Sequence, residues 1–107
     1  MRKTIRSQVV LAVVVSLAGA AGFAQSSGEA IYKAKCQSCH GATGLADTTV
    51  GKALKVKPVT DSEVKNFGEG RMIDATTNGI GKMQPFKGKL TDAEIKDAVA
   101  YYRTLIK

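Results

Sequence analysis

Cys36-Gln37-Ser38-Cys39-His40 constrains this chain more than any other stretch. If the segment is helical, Cys39 and His40 follow Cys36 by three and four positions, close to one turn of about 3.6 residues, and share its face. One turn then presents two thiols and an imidazole together. That set matches a covalently held haem: the thiols add to two vinyl groups along one porphyrin edge, and the imidazole reaches the iron under the ring plane. His40 is the only histidine in the chain, so an imidazole on iron is His40.

Three other uses of two cysteines compete with this reading. A redox dithiol expects a strand leading into the motif and a βαβ surround, and neither is evident. Structural zinc wants four nitrogen or sulfur ligands, and the chain offers two cysteines and one histidine. A disulfide suits an exported protein, but it has no need of the histidine directly after the second cysteine, and haem attachment does.

The N-terminus reads as a secretory signal peptide over residues 1–24. Arg2, Lys3 and Arg6 form a basic start, Val9 to Leu17 is almost wholly apolar, and Gly22-Phe23-Ala24 supplies the small residues of a cleavage site. The apolar run is shorter than the roughly 20 residues that cross a bilayer, and no cysteine follows the cleavage point to carry a lipid. The expectation is therefore a signal peptide rather than a retained anchor, with no stable membrane insertion after cleavage. Residues 25–107 then form one small domain, in which a porphyrin at the centre supplements a modest apolar core.

The formal charge of +7 includes Arg2, Lys3 and Arg6; without those three, 13 Lys and Arg face 9 Asp and Glu. No basic run and no basic helix interleaved with aromatics points to nucleic acid, so the charge reads as a solubility feature or a docking face.

Helix signals follow in order. Ser26 and Glu29 have capping-box spacing, which predicts a first helix from Ser27 to Ser38. Gly28, Tyr32 and Cys36 recur every four residues along one stripe of it, and a glycine there suggests a tight crossing with another helix. Leu45 to Val59 reads as loop, with Lys52, Lys55 and Lys57 as a solvated face. A short helix is expected from Thr60, with a Thr60–Glu63 capping box, a Val59–Val64 staple and Gly68 as its stop. A further helix spans Glu69 to Thr77 and ends at Asn78-Gly79. The last helix carries the densest signals. Thr91 and Glu94 form a capping box, Leu90 and Ile95 a staple, and Ile95, Ala98, Val99, Tyr102 and Ile106 an inward face flanked by Tyr101. It is expected to cross the first helix near Gly28 and Tyr32.

Between these helices lies Gly79-Ile80-Gly81-Lys82-Met83-Gln84-Pro85-Phe86-Lys87-Gly88. Two glycines before Met83 and a proline two residues after it disfavour helix, leaving a shaped loop with a methionine at its centre. A thioether is a soft, neutral ligand for iron, and His/Met ligation is how electron-carrying haem proteins raise their potential. Met72 competes as a ligand but sits among apolar residues of an expected helix, where core packing is the ordinary use of methionine.

Taken together, the residues resemble class I c-type cytochromes, and within them small bacterial carriers similar to cytochrome c6 and the single-haem domains of oxidase subunits. Three stretches carry the resemblance: Gly28 through Tyr32 to Cys36 and the Cys36–His40 motif; Asn78-Gly79 through Met83-Gln84-Pro85-Phe86; and Leu90-Thr91-Asp92 through Ala100-Tyr101-Tyr102-Arg103. The resemblance implies an all-α small cytochrome c fold of about four helices around one covalently attached haem, with N- and C-terminal helices crossing. It implies one haem c with its iron, Cys36 and Cys39 as thioethers, His40 as proximal and Met83 as distal axial ligand, and Tyr101 as the aromatic at the crossing. It departs from many members in lacking a proline soon after the haem motif to offer a carbonyl to the proximal histidine, since the first proline is Pro58. It also lacks the tryptophan that some members place beside a haem propionate.

The expected function is a monomeric one-electron carrier in the periplasm, not an enzyme. Its donor and acceptor are unidentified redox proteins, and Lys33, Lys35, Lys82, Lys87 and Lys89 are candidates for docking acidic faces. Two alternatives stand beside it: a haem-containing subunit of a respiratory complex, and a haem enzyme or sensor with an open sixth site.

Overall fold

The computed structural model describes the backbone of residues 20–107 and the side chains from Ser27 onward. The expected signal peptide lies outside the described residues as far as position 19. Six helices occur among the described residues: α1 (Ala20–Lys35), α2 (Gln37–His40), α3 (Thr49–Ala53), α4 (Ser62–Lys65), α5 (Glu69–Asn78) and α6 (Asp92–Thr104). They include no strand, only the isolated bridges Ile80–Met83 and Lys87–Leu90. None of these helices is long and apolar enough to cross a membrane.

The frame is a crossing of α1 and α6, with α5 also packed against α6. Gly28 makes the crossing close: a Cβ there would overlap the Asp97 carbonyl oxygen and lie 2.8 Å from its carbon and 3.4 Å from the Tyr101 Cβ. The α1 stripe buries Tyr32 completely, and its ring lies 5.2 Å from Tyr101. On α6, Ile95, Ala98 and Val99 face inward. Ile95 and Val99 join Met72 of α5 in the core, flanked by Val64, Phe67, Ile73, Phe86, Leu90, Tyr102 and Ile106.

α6 begins as its residues direct. The Thr91 hydroxyl accepts from the Glu94 N–H at 3.1 Å, and the Glu94 carboxylate accepts from the Thr91 N–H at 2.8 Å, closing the capping box. Thr91→Ala is expected to cost about 1 kcal/mol. For a domain of this size that lowers the thermal midpoint by roughly 4–8 °C, measurable by circular dichroism of the haem-loaded protein.

Several boundaries differ from expectation. The first helix does not begin at Ser27: it runs straight through Ser26 from Ala20, the first described residue. Alanines upstream favour helix, and Glu29 pairs with Lys33 one turn on, at 3.1 Å, instead of capping. It also breaks at Cys36 and resumes as α2, so the haem motif forms its own turn. The expected loop from Leu45 to Val59 contains α3, capped by the Thr48 hydroxyl accepting from the Gly51 N–H at 2.8 Å. α4 is capped by Asp61 rather than Thr60: the Asp61 carboxylate accepts from the Glu63 N–H at 2.8 Å. Gly68 stops nothing: α4 closes at Asn66, and Gly68 is the extended residue before α5. The expected count of about four helices thus becomes six, three of them one turn long.

Candidate haem site

The motif turn is closed by its own backbone. The N–H groups of Cys39 and His40 both reach the Cys36 carbonyl, at 3.2 and 2.9 Å, and Cys36 N–H reaches the Tyr32 carbonyl at 2.8 Å. Cys36, Cys39 and His40 therefore share one turn that continues from α1, as their spacing requires. Neither cysteine is in a disulfide, and both are half-buried. Burial first, and then the neighbouring Cys39, pushes the Cys36 thiol up to about 11.

Three contacts from elsewhere in the chain hold this turn. The Tyr32 hydroxyl donates to the Gly41 carbonyl at 2.6 Å, bridging α1 to the residue after His40. The Thr48 hydroxyl donates to the Ser38 carbonyl at 2.6 Å. Ala46 N–H donates to the His40 carbonyl at 2.8 Å, folding the following loop back on the motif. α3 then packs so close that a Cβ on Gly51 would overlap the Cys39 carbonyl. Burial also raises the Tyr32 phenol well above its ordinary value, so it stays protonated and donating. Tyr32→Phe leaves the buried Gly41 carbonyl without its donor and is expected to cost about 1–3 kcal/mol. Denaturant unfolding checks this, with the visible spectrum unchanged.

The His40 ring packs against an aromatic side chain. Its ring meets Tyr102 of α6 edge-on, with centroids 5.2 Å apart and planes at 68°. Burial lowers its pKa, favouring the neutral imidazole that binds metals. Its Nδ1 is buried without a hydrogen-bond partner among the described residues.

Met83 occupies the non-helical loop, half-buried. Ile80 and Met83 exchange both backbone hydrogen bonds, at 3.1 and 2.9 Å, which makes the methionine the end of a tight reverse turn. Phe86 and Lys87 N–H groups donate to the Thr76 and Thr77 carbonyls at 2.9 and 3.0 Å, fastening the far side of the loop to the end of α5. At the near side Gly79 has φ +83°, and a Cβ there would lie 2.9 Å from the Met83 carbonyl oxygen and 3.1 Å from Pro85. Met72, by contrast, is a core residue.

Four large apolar side chains are left at least a third exposed: Leu45, Val50, Leu54 and Ile80. Three follow the motif turn and the fourth belongs to the methionine turn. Two thiols, a neutral imidazole and uncovered apolar side chains on the adjoining segments suit a flat apolar macrocycle carrying a metal. Sequence reasoning singled out the motif turn and the loop around Met83, but it missed Tyr102 as the neighbour of His40 and what the Tyr32 hydroxyl bonds. Both residues read only as inward-facing in their helices.

A small all-helical frame closing on such a turn defines a c-type cytochrome. Residues 23–101 match the family model described as "Cytochrome C oxidase, cbb3-type, subunit III", and the chain belongs to that family. It is a class I monohaem c-type cytochrome whose cofactor is one covalently bound haem c with its iron. Cytochrome c6 of Synechocystis sp. is 34% identical over 74 residues, which span 69% of this chain and 59% of that relative. Cytochrome c6 of Thermosynechococcus vestitus is 30% identical over 94 residues, 87% of this chain and 81% of the relative. The solved structure of the KustC0563 c-type cytochrome matches with a TM-score of 0.67 at 33% identity, covering 75% of this chain and 98% of that one. These similarities support a haem electron carrier.

Proposed function

We propose that this chain is a periplasmic one-electron carrier in which Cys36 and Cys39 hold haem c as thioethers and His40 and Met83 are its axial ligands. The observation that carries the reading is the single turn from Cys36 to His40, which joins both thiols to the only imidazole in the chain. Bound there, haem supplies a ferric/ferrous couple. The protein's part is to keep two axial groups in place, so that little rearranges when one electron moves. The braced loop does this for Met83. The Tyr32–Gly41 and Thr48–Ser38 hydrogen bonds do it for the turn that carries His40.

Export to the periplasm rests on the signal-like pattern of residues 1–24, and a monomer is the assembly proposed. The lysines expected near the site, Lys33, Lys35, Lys82, Lys87 and Lys89, are all exposed. Lys33 pairs with Glu29, and Lys89 reaches Gln84. Exposed charges of this kind suit weak, salt-sensitive docking to acidic redox partners. The family model's description as an oxidase subunit favours a second reading, a haem domain working within a respiratory complex.

Absorption spectra and a redox titration of the purified protein test the proposal. The expected result is a low-spin spectrum in both states and a single one-electron wave; a high-spin ferric spectrum refutes the two-ligand reading. Raising ionic strength is expected to slow electron transfer with an acidic partner, since exposed charges are screened over about 8–10 Å at 0.1–0.15 M salt. A rate indifferent to salt refutes docking by these lysines, and copurification with membrane oxidase subunits favours the second reading.

A further inference from the structure

An imidazole bound to a metal ordinarily gives its other N–H to a carboxylate, a carbonyl or water, which fixes the ring plane and raises its basicity. His40 is placed differently. Its Nδ1 is buried, and no acceptor among the described residues reaches it. The ring is met by an aromatic wall. Tyr102 packs edge-on at 5.2 Å, within the 4.5–7 Å range where edge-to-face pairs have a preferred direction.

Tyr102 is itself supported. Its ring stacks at 27° on Tyr32, 6.1 Å away, and the Tyr32 hydroxyl bonds the carbonyl of Gly41, the residue after His40. α1, the motif turn and α6 therefore form a closed loop of contacts: Tyr32 grips the backbone beside His40 and backs the ring that faces it. Tyr102 is half-buried and Tyr32 fully buried, so the wall belongs to the core.

We propose that Tyr102 is a positioning residue for His40, its ring holding the imidazole plane in the role that a hydrogen-bond acceptor at Nδ1 otherwise plays, and keeping that N–H dry. The proposal rests on reading His40 as the iron ligand. It has a redox consequence. An imidazole whose Nδ1–H is not hydrogen-bonded is a weaker donor, which favours the ferrous over the ferric state.

The test is nuclear magnetic resonance of the haem-loaded ferrous protein labelled with ¹⁵N-histidine, unambiguous because the chain has one histidine. The expected signal is an Nδ1–H at a non-hydrogen-bonded position, exchanging slowly with water and close in space to Tyr102 ring protons. Tyr102→Phe keeps the ring and is expected to leave this signal and the midpoint potential unchanged. Tyr102→Leu lets water reach Nδ1. The signal then moves to a hydrogen-bonded position, and the ferric form gains about tenfold over the ferrous, a fall of about 59 mV for one electron.

A hydrogen-bonded Nδ1–H in the unaltered protein overturns the proposal, as does a Tyr102→Leu variant with neither signal nor potential changed. If Tyr102→Leu fails to hold haem, the unaltered protein and Tyr102→Phe decide, and a shifted signal in the latter overturns it. The underlying reading fails separately: His40 ring protons without the large ring-current shifts of an axial ligand show that His40 is not on the iron, and the proposal falls with it.

Discussion

Met83→Ala is expected to lower the reduction potential by on the order of 100 mV or more and to abolish the methionine-to-iron charge-transfer band, while haem stays attached. Axial ligation sets haem potentials across roughly 0.8 V, and the neutral, soft thioether lies toward the high end because it favours ferrous iron. Removing it leaves the distal position to water, a harder ligand that favours the ferric state. Retention follows from the arrangement: Cys36, Cys39 and His40 lie on a separate turn with its own supports. Met72→Ala is the informative counterpart. Met72 is 7% exposed in the core with Ile95 and Val99, so its truncation is expected to cost about 2–5 kcal/mol of stability and spare the band. Redox titration, ferric spectra and thermal melts of both variants decide; a band lost with Met72 and kept without Met83 reverses the assignment.

Gly28→Ala is expected to destabilise the haem-loaded protein by roughly 2 kcal/mol, lowering the thermal midpoint by about 10 °C. Two effects oppose each other. Alanine is the better helix former by about 1 kcal/mol. The added Cβ, however, would overlap the Asp97 carbonyl of α6, and that atom is backbone and cannot turn aside. Overpacking of this kind costs about 1–3 kcal/mol, occasionally more, and here relief requires α1 and α6 to move apart, loosening the Tyr32–Tyr101 contact as well. Ala30→Gly, at an exposed position of the same helix, isolates the propensity effect and should cost up to about 1 kcal/mol. A Gly28→Ala protein that melts higher than the parent refutes the close crossing.

The parts of the fold legible in the residues are those whose cause is local. The Thr91–Glu94 box involves one turn and forms as spaced. Asn78-Gly79 ends α5 because Gly79 takes the positive φ that few other residues accept. The Cys36–His40 set shares a face because spacing within a turn dictates it. Gly28 was readable as a close approach since a helical glycine otherwise only weakens its helix. The illegible parts depend on partners far along the chain. α3 has a glycine and β-branched residues and little helical pattern; Thr48 starts it, and packing against the Cys39 carbonyl holds it. Thr60 and Asp61 both qualify as caps by chemistry, and the way the chain arrives decides for Asp61. Gly68 serves equally as a stop or a start, and α5 uses it as a start.

The same division runs through the site. Attachment chemistry is a property of adjacent residues: two thiols and an imidazole on one turn, and a methionine between helix-breaking residues, can be recognised before any fold is known. Packing around those groups is not. Tyr32 and Tyr102 each read simply as inward-facing positions of separate helices, since helical periodicity reports which side is buried and never what lies opposite. The α1–α6 crossing sets Tyr102 against His40 and brings the Tyr32 hydroxyl to the Gly41 carbonyl. The chain's linear order therefore names the cofactor and the groups suited to hold it, and three-dimensional packing alone determines what surrounds the histidine.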